Sequence, residues 1–424
     1  MNIFNLYGRN RNSATFLVGL LVIIALYYNS YRYPLMLNSA NTSPTYSDTP
    51  AWISLGKYIV MYSAMFFYTL VLFLRRKRVG SLNIFFFLSL FYLSIVPIIY
   101  GAFLGSLAFV ELGVVLALAV HLGLFGASAL DWQRVSRILS WGVFAAIFVD
   151  ILQVFLFIIY GRLPALAYAD SISVRFGSFL DDPNGFGLLI AIFLGFSTIY
   201  YGGLLRVVVF GLLLVALLLT QSLTAIISVL VAFIPFISVF LRGRPRRLIL
   251  FWSALTVFFL SLAALLSLNY ATVSGIFMAY MQTKEGSIDT HLDSFATLHA
   301  MTFIRLIGLD PADQWGESGY VNLLGSFGIP YLLFYGSVHL YGAYFCFKKL
   351  VSTDSSWSAE RAFWSAGYFF LAAISVANLN LPVGVIYPVN MLGAIFLGVV
   401  ASTGRRPMNC KNELGSLKNA VDGV

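Results

Sequence analysis

The sequence predicts an all-α polytopic membrane protein with about twelve transmembrane helices. Three observations support this fold class. Hydrophobic residues make up 60% of the 424 residues and charged residues only 10%, whereas soluble proteins average about 25% charged residues. Apolar runs of roughly 20 residues, the length of a helix that crosses a bilayer, recur along the chain. These runs are continuous rather than alternating, which excludes membrane-spanning strands.

The first apolar run, 14–28, follows Arg9 and Arg11 and has no small-residue cleavage site after it. We therefore interpret it as a retained span and not as a signal peptide. The seventh and eighth spans are separated only by TQSLT (220–224). The predicted spans are approximately 14–28, 51–74, 82–100, 103–126, 138–160, 183–201, 207–219, 224–241, 248–267, 320–345, 361–378 and 383–402.

The distribution of basic residues predicts the orientation of these spans. If the N-terminus is cytoplasmic, all but six of the 26 lysines and arginines lie in cytoplasmic segments, as the positive-inside rule requires. Both termini are then cytoplasmic, including a tail at 403–424. We interpret RRKR (75–78) and RGRPRR (242–247) as topology anchors, so no nucleic-acid partner is expected. Cys346 and Cys410 have neither disulfide nor metal-ligand spacing.

Polar residues on the predicted external side are concentrated in two segments, a loop at 161–182 and a large loop at 268–319. No segment has the size of a soluble domain, so residues 1–424 are predicted to form one integral membrane domain. Any chemistry must then take place in the external loops or in a cavity between spans. The chain lacks a GxxxxGK[ST] motif, which argues against ATP hydrolysis, and we predict no metal and no cofactor.

The first loop ends in VRFGSFLDDPNGFG (174–187), where Asp182 and Pro183 predict a helix start. Arg175 lies close to this start and can grip a phosphate with two N–H groups, so the stretch is a candidate anion site. Asp181, Asp182 and Asn184 are candidate substrate-binding residues. The simpler interpretation is that Asp182 only caps the helix and that Arg175 pairs with Asp181 or with lipid headgroups.

The large loop contains five residues at helical spacing, some polar and some apolar, which predicts an amphipathic helix at the membrane interface. Ser318 is then a suitable N-cap for the span that includes Tyr320. Each of these residues also has a purely structural interpretation. His291 and His299 would lie on a solvated face, Arg305 would reach lipid headgroups, and Glu317 would complement a helix dipole. The residues at helical spacing are His291, Phe295, Leu298, Thr302 and Arg305.

Two ionisable residues, Glu111 and Asp150, fall inside predicted spans. Such groups are costly in a membrane and are functional candidates for that reason. They suit a proton-coupled transporter, or they brace the bundle through hydrogen bonds to polar neighbours.

Three stretches in order resemble the O-antigen polymerase and ligase superfamily, whose polymerases are called Wzy-type. RFGSFLDDPNGFGLLIAIFLG (175–195) is similar to its arginine-glycine and Asp/Asn-Pro-Asn signature. LLLTQSLTAIISVL (217–230) is similar to its Thr-x-Ser element. ESGYVNLLGSFGIPYLLFYG (317–336) is similar to the segment that closes its large periplasmic loop. The resemblance covers roughly residues 138–345.

The resemblance implies a GT-C-like bundle in the bacterial inner membrane that needs no nucleotide sugar and no metal. Such a polymerase transfers a growing glycan from undecaprenyl diphosphate to a lipid-linked repeat unit at the periplasmic face. Arg175 and Arg305 would hold diphosphate, His291 or Glu317 would orient or deprotonate the acceptor hydroxyl, and Tyr320 would contact substrate. The implied partners are the undecaprenyl-diphosphate-linked oligosaccharide, membrane lipids and a chain-length regulator protein.

The chain also departs from the superfamily pattern at three points. Leu223 follows the Thr-x-Ser element where many members have an arginine. His291 is the nearest match to an arginine early in the large loop. Glu317-Ser318-Gly319 stands where ligases have a histidine, which favours a polymerase over an O-antigen ligase. A glycan-lipid transporter or flippase is the main rival, although transporters usually show internal repeats and none is visible; a scaffold without catalysis is the third interpretation.

Overall fold

The computed structural model describes residues 84–125, 132–160, 167–169, 174–178, 180, 182–240, 301–310, 318–352, 359–386 and 389–402, together with the single positions 56, 59, 63, 293, 295 and 296.

Within these residues the chain forms ten α-helices, one antiparallel hairpin and one 3-10 turn. In chain order they are α1 (Ile84–Leu104), α2 (Leu107–Phe125), α3 (Trp132–Tyr160), β1 (Ala167–Ala169), β2 (Val174–Phe176), α4 (Pro183–Tyr200), α5 (Gly203–Leu219), α6 (Leu223–Phe240), α7 (Phe303–Leu306), α8 (Gly319–Ser352), α9 (Ala359–Ala377), the 3-10 turn (Val383–Val385) and α10 (Val389–Ser402).

All of these helices except α7 coincide with predicted spans, and five of them (α1, α2, α3, α4 and α8) are long and apolar enough to cross a membrane. The chain is therefore a helical membrane protein, as predicted. Five of these nine helices (α1, α3, α5, α8 and α9) are longer than the predicted spans, and α8 continues to Ser352, whereas α2, α4 and α10 are shorter. Spans 14–28 and 248–267 lie outside the described residues, and only Gly56, Ile59 and Ser63 are described within 51–74.

Helices α4 and α9 form the centre of the described bundle, and small residues let their backbones approach closely. Every residue of α4 from Gly185 to Ile199 is buried. A Cβ built on Gly195 of α4 would lie 2.7 Å from the carbonyl oxygen of Ser365 on α9. The N-terminal end of α4 is thereby fixed at one end of the bundle, which we call the site end.

Two further helices begin near Pro183 at the site end. A Cβ on Gly187 of α4 would lie 2.6 Å from the Cβ of Ala225 in the first turn of α6. Asn380, which follows α9, donates from Nδ2 to Oγ1 of Thr224 at 2.6 Å. The backbone N–H of Tyr320 on α8 donates to the carbonyl of Asn378 at 3.0 Å. The starts of α4, α6 and α8 therefore share one polar neighbourhood.

Helix α8 is broken at Gly328, where φ is 81° and ψ is 177°. A straight helix of 34 residues would measure about 51 Å, much more than the ~30 Å of the bilayer hydrocarbon. Gly308 (φ 82°) fits into the break, and a Cβ on Gly328 would lie 2.5 Å from its backbone nitrogen. Tyr100 of α1 donates to the carbonyl of Gly308 at 2.6 Å. Segment 301–310 therefore packs into the break of α8, and we call this contact its seat.

The structure corrects the predicted helix in the large loop. Residues 301 and 302 are not helical, and Thr302 is extended, with φ −73° and ψ 156°. Its side chain accepts a hydrogen bond from the N–H of Arg305 and so caps the separate short helix α7. Asp293, Phe295 and Ala296 are helical, as predicted. A continuous helix from His291 to Arg305 was the wrong prediction, because a threonine that caps one helix cannot continue another.

Candidate functional site

The candidate site is built on the hairpin that precedes α4. Strand β2 carries Arg175, which pairs with position 168 of β1 in an antiparallel register. Sequence analysis treated 161–182 only as a loop, so the hairpin was not anticipated. It is short, and its strands of three residues carry no long alternating pattern that would have revealed it.

A tight turn after β2 anchors the hairpin to α3. Ser178 has a positive φ of 54° and is fully buried. Its Oγ donates to the carbonyl of Ala146 at 3.0 Å, and its own carbonyl accepts from Nε2 of Gln153 at 2.6 Å. A left-handed backbone in a residue other than glycine is unfavourable and persists only where the surroundings impose it. Here the two contacts with α3 impose it, and they fix the position of the strand that carries Arg175.

Arg175 is half-buried and its guanidinium is held by two neutral acceptors. Nε donates to the carbonyl of Thr220 at 2.8 Å, and Nη2 donates to Oδ1 of Asn184 at 2.7 Å. A guanidinium has five N–H groups, so three have no protein partner among the described residues. No carboxylate of the described part lies within salt-bridge distance of it. The arginine is therefore oriented in advance and retains both charge and donors for an anion.

The α5–α6 turn braces β2 from a second direction. Gln221 has a positive φ of 49°, and its Nε2 donates to the carbonyl of Val174 at 3.2 Å. The carbonyl of Thr220 accepts from Arg175, so two residues of this turn bind two adjacent residues of β2. Both residues belong to the Thr-x-Ser element, but neither was among the predicted site residues. The signal that could have revealed them is the polar stretch TQSLT (220–224), which is very short for a connection between two spans.

The start of α4 confirms the predicted helix cap but leaves no open N–H groups. Asp182 is the N-cap, and its carboxylate accepts from the backbone N–H groups of Asn184 at 2.9 Å and Gly185 at 3.2 Å. The N–H of Phe186 donates to the carbonyl of Asp182 at 3.0 Å, and Pro183 has none. A ligand would therefore meet the guanidinium of Arg175 and not the amide groups of this helix.

Burial raises the pKa of the Asp182 carboxyl above its ordinary value of 3.8, although the two backbone N–H groups and the nearby Arg175 charge act in the opposite direction. Desolvation disfavours the charged carboxylate, whereas hydrogen bonds and an opposite charge favour it. The cap thus brings some negative charge close to Arg175 without pairing with it.

Tyr320 lies on the other side of the shared neighbourhood. Its hydroxyl donates to the carbonyl of Ser375 on α9 at 2.7 Å, so the oxygen can still accept a hydrogen bond. Ser318 caps α8 as predicted and accepts from the N–H of Val321 at 3.4 Å. Asn378, fully buried beside this helix start, was not predicted because its position after α9 carries no local motif.

Arg305 lies on segment 301–310, and no direct contact joins it to Arg175 in the described residues. Its Nε is 3.8 Å from Oδ2 of Asp310, and its side chain is 25% exposed. The structure thus brings Arg175, Asp182 and Asn184 together, whereas Tyr320 and Arg305 stand on neighbouring elements. Asp181, His291 and Glu317 lie outside the described residues. Among the described residues, no group of His, Cys, Asp and Glu side chains could hold a metal ion.

The membrane interior contains ionisable groups besides the site. Asp150 of α3 is only 2% exposed, and Glu111 of α2 is half-buried. His339 of α8, buried and with Nδ1 2.9 Å from the carbonyl of Tyr335, was not singled out from the sequence. A lone histidine inside an apolar run gives no pattern to detect.

The chain matches no family model and no curated protein.

Proposed function

We propose that this protein is a polysaccharide polymerase of the Wzy type, a GT-C-like bundle of about twelve spans in the bacterial inner membrane with both termini cytoplasmic. It would extend an O-antigen, a capsule or another exopolysaccharide at the periplasmic face. The observation that carries this proposal is Arg175, a preorganised and half-buried cation at the site end, three of whose N–H groups have no acceptor among the described residues.

The reaction needs positive charge where negative charge develops. The acceptor hydroxyl oxygen forms a bond to the anomeric carbon of the growing glycan, and the bond from that carbon to the diphosphate oxygen breaks. The electron pair leaves with undecaprenyl diphosphate. Arg175 would stabilise this leaving group through the N–H groups that no described residue accepts, and Arg305 would act as a second clamp after exchanging its Asp310 partner.

The hydroxyl proton must go to a base. His291 or Glu317 would take it, and Tyr320 with Asn184 would orient the sugars through hydrogen bonds. Asp181 and Asp182 would supply further acceptors for sugar hydroxyls. Asp182 already binds two backbone N–H groups, so its share is limited to the lone pairs that remain. The lipid-linked repeat unit and membrane lipids are the expected partners, with a chain-length regulator as the protein partner.

The test uses purified full-length protein in proteoliposomes with undecaprenyl-diphosphate-linked repeat units from its host. Chelator is present and nucleotide sugar is absent. A ladder of polymers that is lost in Arg175→Ala supports the proposal. Arg206→Ala is the matched control, because Arg206 is also half-buried and donates from Nε to a backbone carbonyl at 2.8 Å, but at the other end of α5.

The same experiment separates the rival functions. Transfer to lipid A core without a ladder would indicate an O-antigen ligase. Movement of the glycan lipid across the membrane without new bonds would indicate a transporter or flippase, for which the buried carboxylate of Asp150 would be the leading residue.

A further inference from the structure

A buried carboxyl lies directly behind the hairpin that carries Arg175. Asp150 is in the interior of α3, ten residues before its last residue, Tyr160. It is 2% exposed, and its Oδ1 has no hydrogen-bond partner among the described residues. An ionised carboxylate without a partner is very unfavourable in an apolar interior, and inside a membrane such a residue is a functional candidate.

The position of Asp150 relative to the turn follows from helix geometry. Ala146, Asp150 and Gln153 are spaced i, i+4 and i+7, so they lie on one face of α3. The residues on either side of Asp150 both bind Ser178, Ala146 through its carbonyl and Gln153 through its carboxamide. The carboxyl therefore lies on the face of α3 that Ser178 binds. Ser178 belongs to a turn, called the turn 177–180, in which the N–H of Leu180 donates to the carbonyl of Gly177 at 2.9 Å, and this turn lies between β2 and α4.

No described neighbour supplies a counter-charge to this carboxyl. Arg175 directs its guanidinium to Thr220 and Asn184, and Asp182 caps α4. Tyr368 of α9 donates to the carbonyl of Ala232. The other charged or titratable residues on elements packed against α3 lie at the opposite ends of those helices: Tyr200, Arg206, Glu360 and Arg361.

We propose that Asp150 binds a proton in this arrangement, and that this bound proton keeps the turn 177–180 seated on α3 and Arg175 in position. Asp150 is then a positioning residue for the Arg175 hairpin. It is not a base for substrate, because it is buried and a general base must reach the proton that it abstracts. Loss of the proton leaves a buried charge, which is relieved when the turn lifts and water enters. This inference does not depend on which ligand Arg175 binds.

The first part of the test asks whether the proton is present. The infrared spectrum of the reconstituted full-length protein is recorded from acidic to alkaline pH, in water and in deuterium oxide. A carboxylic-acid C=O band that is missing from Asp150→Asn is expected at acidic pH. Glu111→Gln, which alters a membrane carboxyl on α2, is the matched control and retains this band. If Asp150→Asn and the wild type have the same carboxylic-acid bands, the proposal is wrong.

The second part asks whether the proton holds the hairpin. Val174→Cys is introduced into a variant in which Cys346 and Cys410 are replaced by alanine, and its modification by a membrane-impermeant maleimide is corrected for the pH dependence of a free thiol. The corrected rate is expected to rise up to about tenfold per pH unit, as release of one proton requires. With Asp150→Asn added, the rate stays low at every pH, since the amide cannot ionise.

Two results would overturn the coupling. One is a pH-dependent rate that is the same with and without Asp150→Asn. The other is a high rate at every pH in Asp150→Asn, which would mean that the ionised carboxylate holds the turn. If Asp150→Asn does not fold, Ser178→Ala provides the second variant, because it removes the bond to Ala146 and should raise the rate at acidic pH.

Discussion

The two arginines proposed to hold diphosphate are supported in opposite ways. Arg175 lies on a strand that α3 and the α5–α6 turn hold through four side-chain hydrogen bonds, and its partners among the described residues are neutral. Arg305 lies on segment 301–310, which is seated by close contact between two glycine backbones, and its partner is the exposed carboxylate of Asp310. One arginine is therefore a fixed cation ready for a ligand, whereas the other must first exchange a partner.

Conservative substitution of the two arginines should separate these roles most strongly. Arg175→Lys is expected to reduce polymer formation by about 10²–10³-fold. Lysine lacks the planar guanidinium with which arginine can bind Thr220, Asn184 and a diphosphate at the same time. Arg305→Lys should reduce polymer formation much less, since a lysine can also dissociate from the exposed carboxylate of Asp310 and bind a diphosphate. Initial rates of ladder formation measure both. Equal losses in the two variants would remove the distinction.

The seat of segment 301–310 should be sensitive to one added methyl group. Gly328→Ala places a Cβ 2.5 Å from the backbone nitrogen of Gly308 and also forces a positive φ on alanine, so we expect a loss of about 1–3 kcal/mol in stability. Gly211→Ala is the control, because no atom lies within 4 Å of its added Cβ. Thermal unfolding in detergent compares the two, and an unchanged melting temperature in Gly328→Ala would contradict the close seat.

The brace on β2 should show a smaller and more specific effect. Gln221→Ala and Gln221→Gly both lose the hydrogen bond to Val174, but glycine accepts the φ of 49° without strain. The alanine variant should therefore be less stable than the glycine variant by about 1 kcal/mol. Unfolding curves of the two proteins test this. A glycine variant that is the less stable one would show that the backbone at this position is not strained.

The helix cap should show the smallest effect, and its sign depends on pH. Since burial raises the pKa of Asp182, its folded form holds a proton more tightly than its unfolded form. Wild-type stability should then fall as pH rises from 3.8 through the raised pKa. Asp182→Asn keeps a good cap and does not show this fall, so its stability relative to the wild type should increase with pH. A variant that is clearly less stable at neutral pH would contradict the assignment.

The sequence predicted the apolar helices and two helix starts, because these depend on local signals. Asp182-Pro183 and Ser318 are capping patterns that act within a few residues. It did not predict the hairpin, the brace from Gln221 or the contact between Gly308 and Gly328. These features join segments that are distant in the chain, and their partners are chosen by packing. The burial of Asp150 on the face of α3 that Ser178 binds is likewise invisible until the turn is placed.

The central claim is that Arg175 is a preorganised anion site, and direct binding tests it most simply. Affinity for undecaprenyl diphosphate is measured on wild type, Arg175→Ala and Arg206→Ala in lipid nanodiscs. We expect Arg175→Ala to weaken binding by about 10- to 100-fold, the range expected for lost hydrogen bonds to a charged group, and Arg206→Ala to bind like the wild type. Equal affinity in all three proteins would contradict this claim.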